Sequence, residues 1–463
     1  MRARTILGAA AVTAAAVLLA GCGGSSGAGS GSSLGAGAAV APAGSVAFVA
    51  VNTDASSSQW QAVDALLQKF PGHDQLFTQL QQQLQQKTGL SWSDDVKPAL
   101  GPELDLVVLP AAPGGKPELV GLVQPGDAAK LTALLQKLDA KSGKTLVTAQ
   151  TGGWTAIAGT QAALDAVTGA SSHLADDNTY QDATSKLSGD SLATVYANGT
   201  EAQQLLGSLG KTVPTPATGA QLQWVSAGVA AESGGVKVDG YVRTQGGRSP
   251  GQPYASTLVS KIPSDALAVA DFDASAQAAA ALPKNLGAAL GGETALYVTA
   301  GAPIPAVTLV THPSDPQTAA GALDKAFSDL GAAAAAGSSA GSPLGGLGSI
   351  LGNIHLYHDV VGDTLVASTS QQAISDFEGG GQKLADDGAF KDATAAAAMP
   401  SETNGFVYVN LKEALPLVEG LVSMISTGLP SGTQADLAAL QTVTGYATAA
   451  GDELHFAAFV QIG

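Results

Sequence analysis

Short apolar runs, separated by glycine- and proline-rich breaks, recur from residue 42 to the end of the chain. Residues 46–51 and 267–272 each follow a proline and are predicted strands. Leu76, Phe77, Leu80 and Leu84 fall at helical spacing among glutamines, predicting a helix with one buried stripe. Two strands are predicted over 104–109 and 118–123, with Pro110, Pro113, Gly114 and Gly115 between them. A helix is predicted over 128–138 with Asp127 as its cap. Residues 145–148 and 154–158 make the next predicted hairpin, and 161–167 the next helix. Two hairpins are clearest: 225–231 and 236–242 flank Gly234-Gly235, and 446–450 and 454–460 flank Gly451-Asp452. Strands come in adjacent pairs with helices between the pairs. That order predicts an α+β fold, a largely antiparallel sheet with packed helices, and not the alternation of a doubly wound fold.

The pattern is duplicated. Residues 174–184 (LADDNTYQDAT) answer 384–394 (LADDGAFKDAT). In the same order, 99–103 answers 289–293, 153–158 answers 362–367, and Thr194-Val195-Tyr196-Ala197-Asn198 answers Phe406-Val407-Tyr408-Val409-Asn410. The unit is about two hundred residues long, too long for a solenoid repeat, so two homologous tandem domains are expected. The expected organisation is a leader over 1–21, a Gly/Ser/Ala tether over 22–41, a first repeat over 42–244, a linker over 245–261 and a second repeat over 262–463. Residues 331–351 are low in complexity and are expected to form a surface loop.

Composition narrows the function classes. The 463 residues carry 21 Lys+Arg against 38 Asp+Glu, a net charge of −17 that argues against a nucleic-acid partner. With 45% hydrophobic and only 13% charged residues, the chain is no disordered polyanion. One cysteine excludes an intramolecular disulfide and a cysteine-based zinc cage. That cysteine, Cys22, follows Leu19-Ala20-Gly21, an apolar run from Ile6, and Arg2 and Arg4, the layout of a bacterial lipobox. Cleavage before Cys22 and transfer of a diacylglyceryl group to its thiol would anchor the chain stably on the extracytoplasmic face of a cell membrane.

Candidate chemistry is sparse. Asp176-Asp177 and Asp386-Asp387 recur in both halves, and helix capping explains them better than a cation site, for calcium wants six to eight oxygens. His355, His358 and Asp359 fall on a predicted strand, where residues three apart face opposite ways, so no metal site is expected. Gly143-Lys144-Thr145 and Gly210-Lys211-Thr212 lack the first glycine of a phosphate loop, and Ser208-x-x-Lys211 lacks its companion acyl-enzyme motifs. The Gly-x-Ser-x-Gly matches lie in low-complexity sequence without strand or helix context. Residues 411–427 form an apolar predicted helix that reads first as a central core helix and otherwise as a groove wall or membrane-facing patch, in which Leu415, Val418, Leu421, Val422 and Ile425 are the candidate apolar-ligand or interface residues.

Thr88-Gly89-Leu90 with Asp94-Asp95-Val96, Leu100-Gly101-Pro102-Glu103-Leu104, residues 174–182 and residues 191–198 together resemble an uncharacterised family of bacterial secreted or membrane-attached proteins, common in actinobacteria and known only as domain of unknown function 3352. The resemblance spans nearly all of residues 42–463 and implies no catalytic residue and no cofactor. The sequence is therefore read as a non-enzymatic envelope lipoprotein that binds another envelope component. The alternative reading is a carrier of an apolar ligand such as a lipid.

Overall fold

The computed structural model describes residues 34–111, 116–143, 145–187, 189–208, 220–246, 251–274, 290–301, 305–337, 355–425 and 431–463. Cys22 and residues 1–33 lie outside the described residues. The first half supplies strands β1 (Ala47–Asn52), β2 (Glu103–Leu109), β3 (Glu118–Val123), β4 (Val147–Thr151), β5 (Trp154–Ala158), β6 (Ala193–Asn198), β7 (Gln221–Glu232) and β8 (Gly235–Gln245). The second supplies β9 (Ala266–Asp273), β10 (Glu293–Thr299), β11 (Ala306–Thr311), β12 (Tyr357–Val361), β13 (Thr364–Ser368), β14 (Gly405–Asn410), β15 (Leu440–Ala450) and β16 (Glu453–Ile462). β4 starts two residues later than the sequence pattern predicts, because the turn falls on Gly152-Gly153, both at positive φ (55° and 84°).

All sixteen strands form one sheet, in the order β12-β13-β11-β10-β9-β14-β15-β16-β8-β7-β6-β1-β2-β3-β5-β4. The two halves of that order mirror each other strand for strand, and the pairings are antiparallel throughout. The halves, called lobes below, therefore join edge to edge through β8 and β16. The hairpins β7–β8 and β15–β16 make Gly235 equivalent to Glu453, so Asp239 is equivalent to Ala457. At the seam Asp239 pairs with Ala457 itself. The lobes thus meet about a pseudo-two-fold axis, the geometry of an isologous dimer made within one chain.

The register separates two faces. The inner face carries Phe48, Val107, Val120 and Tyr196 in the first lobe, and Val269, Tyr297, Val310 and Tyr408 in the second, all buried. It is covered by the helices Gln161–Thr168 and Asn178–Thr184, and by Gln371–Glu378 and Gly388–Ala396. Asp177 and Asp387 accept from Tyr180 N and Phe390 N and so cap the second helix of each pair. The outer face meets Ser58–Leu67 near the seam and Ala128–Ser142 and Pro316–Gly337 toward the two ends.

Three expectations about connecting segments need correction. The expected tether is docked from Leu34 onward: Ala36–Ala39 is a 3-10 turn, and Ala38, Val40 and Ala41 are buried in the first core. Small side chains gave no amphipathic signal there, and their smallness is what lets the backbone lie on the sheet. The expected linker is likewise docked where it is described from residue 251 onward, with Tyr254 bridging to Thr403 and Leu258 fully buried. The expected loop is helical as far as Gly337, where an alanine run extends the helix; residues 338–351 lie outside the described residues.

Candidate functional site

Each lobe holds an acid pair on its inner face, clamping the segment that precedes its first strand. In the first lobe the pair is Glu103 and Asp105, on alternate positions of β2. Gly35 N donates to Glu103 Oε1 at 2.9 Å and Gly37 N to Asp105 Oδ2 at 3.0 Å. A Cβ on Gly37 would lie 1.9 Å from that carboxylate oxygen, so only glycine fits. Asp105 is fully buried and its Oδ1 has no hydrogen-bond partner. Burial pushes its carboxyl up to about 9, and the neighbouring Glu103 charge adds to the rise.

In the second lobe the pair is Asp271 and Glu293. Asp271 comes from β9, the equivalent of β1, and Ala295 faces it where Asp105 would be. Tyr254 Oη donates to Asp271 at 2.5 Å and Ser256 Oγ at 2.9 Å. Thr257 N and Leu258 N donate to Glu293 Oε1, and Thr257 Oγ1 to its other oxygen. Burial still lifts Asp271 to about 6, against the pull of the two hydroxyls. Burial works on Glu293 too, but its many donors hold that carboxyl below its usual value.

Beside the first clamp lies a partly open pocket of about 470 Å³. Leu34, Gly35, Tyr180, Thr184, Leu187 and Thr194 are among its lining residues, and no charged side chain lines it among the described residues. Lobe comparison gives its origin. Tyr180 packs edge-on against Tyr196 at 5.1 Å, as Phe390 does against Tyr408 at 5.1 Å. Phe390 also packs on Phe406 at 5.9 Å, and Phe406 pairs across the sheet with Tyr446; both are buried. At the same two places the first lobe has Thr194 and Gly228.

The seam carries a third cluster. Lys186 pairs with Glu453, Arg243 with Asp182, and His455 Nε2 lies 2.7 Å from Asp239 Oδ1. The His455 ring stacks on Tyr241 at 4.7 Å. The Lys186–Glu453 and His455–Asp239 contacts run from one lobe to the other, whereas Arg243–Asp182 lies within the first.

The outer face is apolar. From β11 across to β3, twelve strands in sheet order, the register places no Asp, Glu, Lys, Arg or His on it. Leu119, Val195, Leu296, Val307 and Val407 all stand on this face and are 37–49% exposed. The alternation along β2 and β8 marks one apolar face, but the charged positions that alternate with it lie on the helix-covered inner face, so periodicity alone assigns the apolar side to the core.

The expected interface helix spans Leu411–Ile425 and contacts β9, β14 and β15. Leu415 is half-buried; the side chains of Val418, Leu421, Val422 and Ile425 lie outside the described residues. His358 faces Asp324 at 3.3 Å while His355 is exposed, and no group of three metal-ligating side chains exists among the described residues. No helix among the described residues is long and apolar enough to cross a membrane.

Two crystal forms of TP0453 were found by structural comparison: form IV at 8% identity, covering 44% of this chain and 78% of that one, and form III at 9%, covering 45% and 80%, each with a TM-score of 0.23. No curated protein matches the chain. The sequence profile of a family described as protein of unknown function (DUF3352) matches two tandem segments, residues 4–155 and 155–287, and the chain belongs to that family.

Proposed function

We propose that this chain is a non-enzymatic lipoprotein of the cell envelope, anchored through Cys22, that receives acyl chains of lipid on the outer face of its sheet. The observation that carries the reading is the uncharged, half-exposed apolar face shared by both lobes. Apolar surface of that breadth marks a binding surface. A lipid chain suits it better than a protein. The backbone there is paired on both sides, leaving no strand edge to extend, and protein interfaces carry polar rims with hydrogen bonds that these strands do not offer. Cys22 supports the location, since a diacylglyceryl anchor would hold the face beside a source of lipid.

Native mass spectrometry of protein extracted from its own membrane tests this, together with uptake of a fluorescent fatty acid. The wild type is expected to carry lipid and to take up the probe. Val195→Lys with Val407→Lys, both solvent-facing, is expected to abolish uptake while leaving circular dichroism unchanged. A wild type that carries no lipid and takes up no probe would overturn the reading. Cys22→Ser is expected to move the protein from the membrane fraction to the soluble one.

A further inference from the structure

We propose that the 470 Å³ pocket of the first lobe binds an uncharged, single-ring aromatic molecule bearing a hydroxyl. The inference is independent of the outer face, since this pocket lies on the inner one. Its size falls within the range of small-molecule sites. The duplication supplies the argument for its ligand. In the second lobe the same place is filled by the chain's own rings: Phe406, packed on Phe390, and Tyr446 beside it. A third ring, Tyr254, lies against the acid pair there and donates its hydroxyl to Asp271. The first lobe lacks rings at the positions of Phe406 and Tyr446, and brings Phe48 edge-on against Tyr180 at 5.9 Å where the second lobe has Val269. Tyr180 and Tyr196 repeat the Phe390–Tyr408 geometry, while Thr194 and Gly228 stand where Phe406 and Tyr446 do.

The lining chemistry agrees with a neutral ring. Leu34, Leu187 and the Tyr180 ring give apolar walls, and Thr184, Ser185 and Thr194 bring hydroxyls. With no charge among the described lining residues, an ionised ligand would lose hydration with no counter-charge from them to replace it. A ring with one hydroxyl meets both kinds of wall.

The test is calorimetric titration of the full-length protein with p-cresol, with its melting point followed alongside. The wild type is expected to bind p-cresol at one saturable site. Thr194→Phe, which copies the second lobe, is expected to bind about ten-fold more weakly or worse and to melt no lower than wild type. Thr194→Leu fills less space and should weaken binding in the same direction if the phenylalanine variant does not fold. Absence of saturable binding by the wild type, or wild-type affinity in a folded filled variant, would overturn the proposal. Lipid uptake on the outer face should be the same in all three proteins, so failure here is distinguishable from failure of the lipid-binding reading.

Discussion

Asp105 and Asp271 solve one packing problem with different donors. Each sits on the inner face under a docked segment, next to a glutamate. Asp271 has Tyr254 and Ser256 as hydroxyl donors, whereas Asp105 has one glycine N–H and an oxygen with no partner. A buried carboxylate so poorly served keeps its proton. The unfolded chain releases that proton near 3.8 and the folded chain near 9. The folded-state value is raised, so this group's stabilising effect is full below about pH 4 and declines as pH rises toward about 9. Asp105→Asn keeps the shape and the acceptor for Gly37 N but has no charge to suppress. At pH 8 it is expected to raise the melting midpoint by about 2–4 °C, with little change at pH 4. Hydrogen exchange at Gly37, corrected for intrinsic rate, should slow on acidification in the wild type and be flat in the variant. A variant that melts below wild type at pH 8 would show that the proton is not what the site holds.

Helix caps and docked segments determine how the inner face is closed. Asp177 and Asp387 were legible because a carboxylate precedes each short helix and the motif occurs twice. Their geometry agrees, with Oδ1 accepting at 2.9 Å and 2.8 Å. Asp387→Ala is therefore expected to cost about 1 kcal/mol in urea unfolding, while Asp386→Ala, at an exposed position 3.8 Å from Lys391, should cost less than about 0.5 kcal/mol. Equal losses would assign the wrong carboxylate to the cap. The paired strands and the duplication were legible for a similar reason, since period-two runs and turn glycines are local signals. The docked residues 34–41 were not, because Gly and Ala carry no periodicity and their fit depends on a carboxylate far along the chain. The pocket had a signal that went unread: the aligned stretches place Thr194 against Phe406, a change of volume at a position buried in one copy. Two copies in one chain make such a difference meaningful, since each lobe shows what the other could contain.

The whole molecule depends on how the lobes join. The family profile changes segment at residue 155, inside β5, while the structural copies divide between β8 and β9, so the profile boundary is not the architectural one. The architectural boundary is crossed by side chains from both lobes. Trp60, Leu66, Leu192 and Ala231 form one buried cluster with Ala439 and Ile462, and Gly72 N donates to Asp436 at 2.7 Å. The ladder of β8 on β16, with this cluster beside it, should make the lobes unfold together, so calorimetry is expected to show a single transition. The seam ladder locates the weak point. Thr244 N donates to Asp452 O at 2.9 Å at one end, and Ile462 N to Gly234 O at 2.8 Å at the other. Antiparallel alternation between those ends points the Ala458 N–H at Val238. Ala458→Pro removes that donor and places a ring against β8, where a central strand does not accept one. The expected result is two resolved transitions, with the first-lobe transition close to the wild-type temperature. One transition shifted down as a unit would mean that the shared cluster alone couples the lobes, and would separate the pairing of β8 with β16 from the cooperativity it is argued to produce.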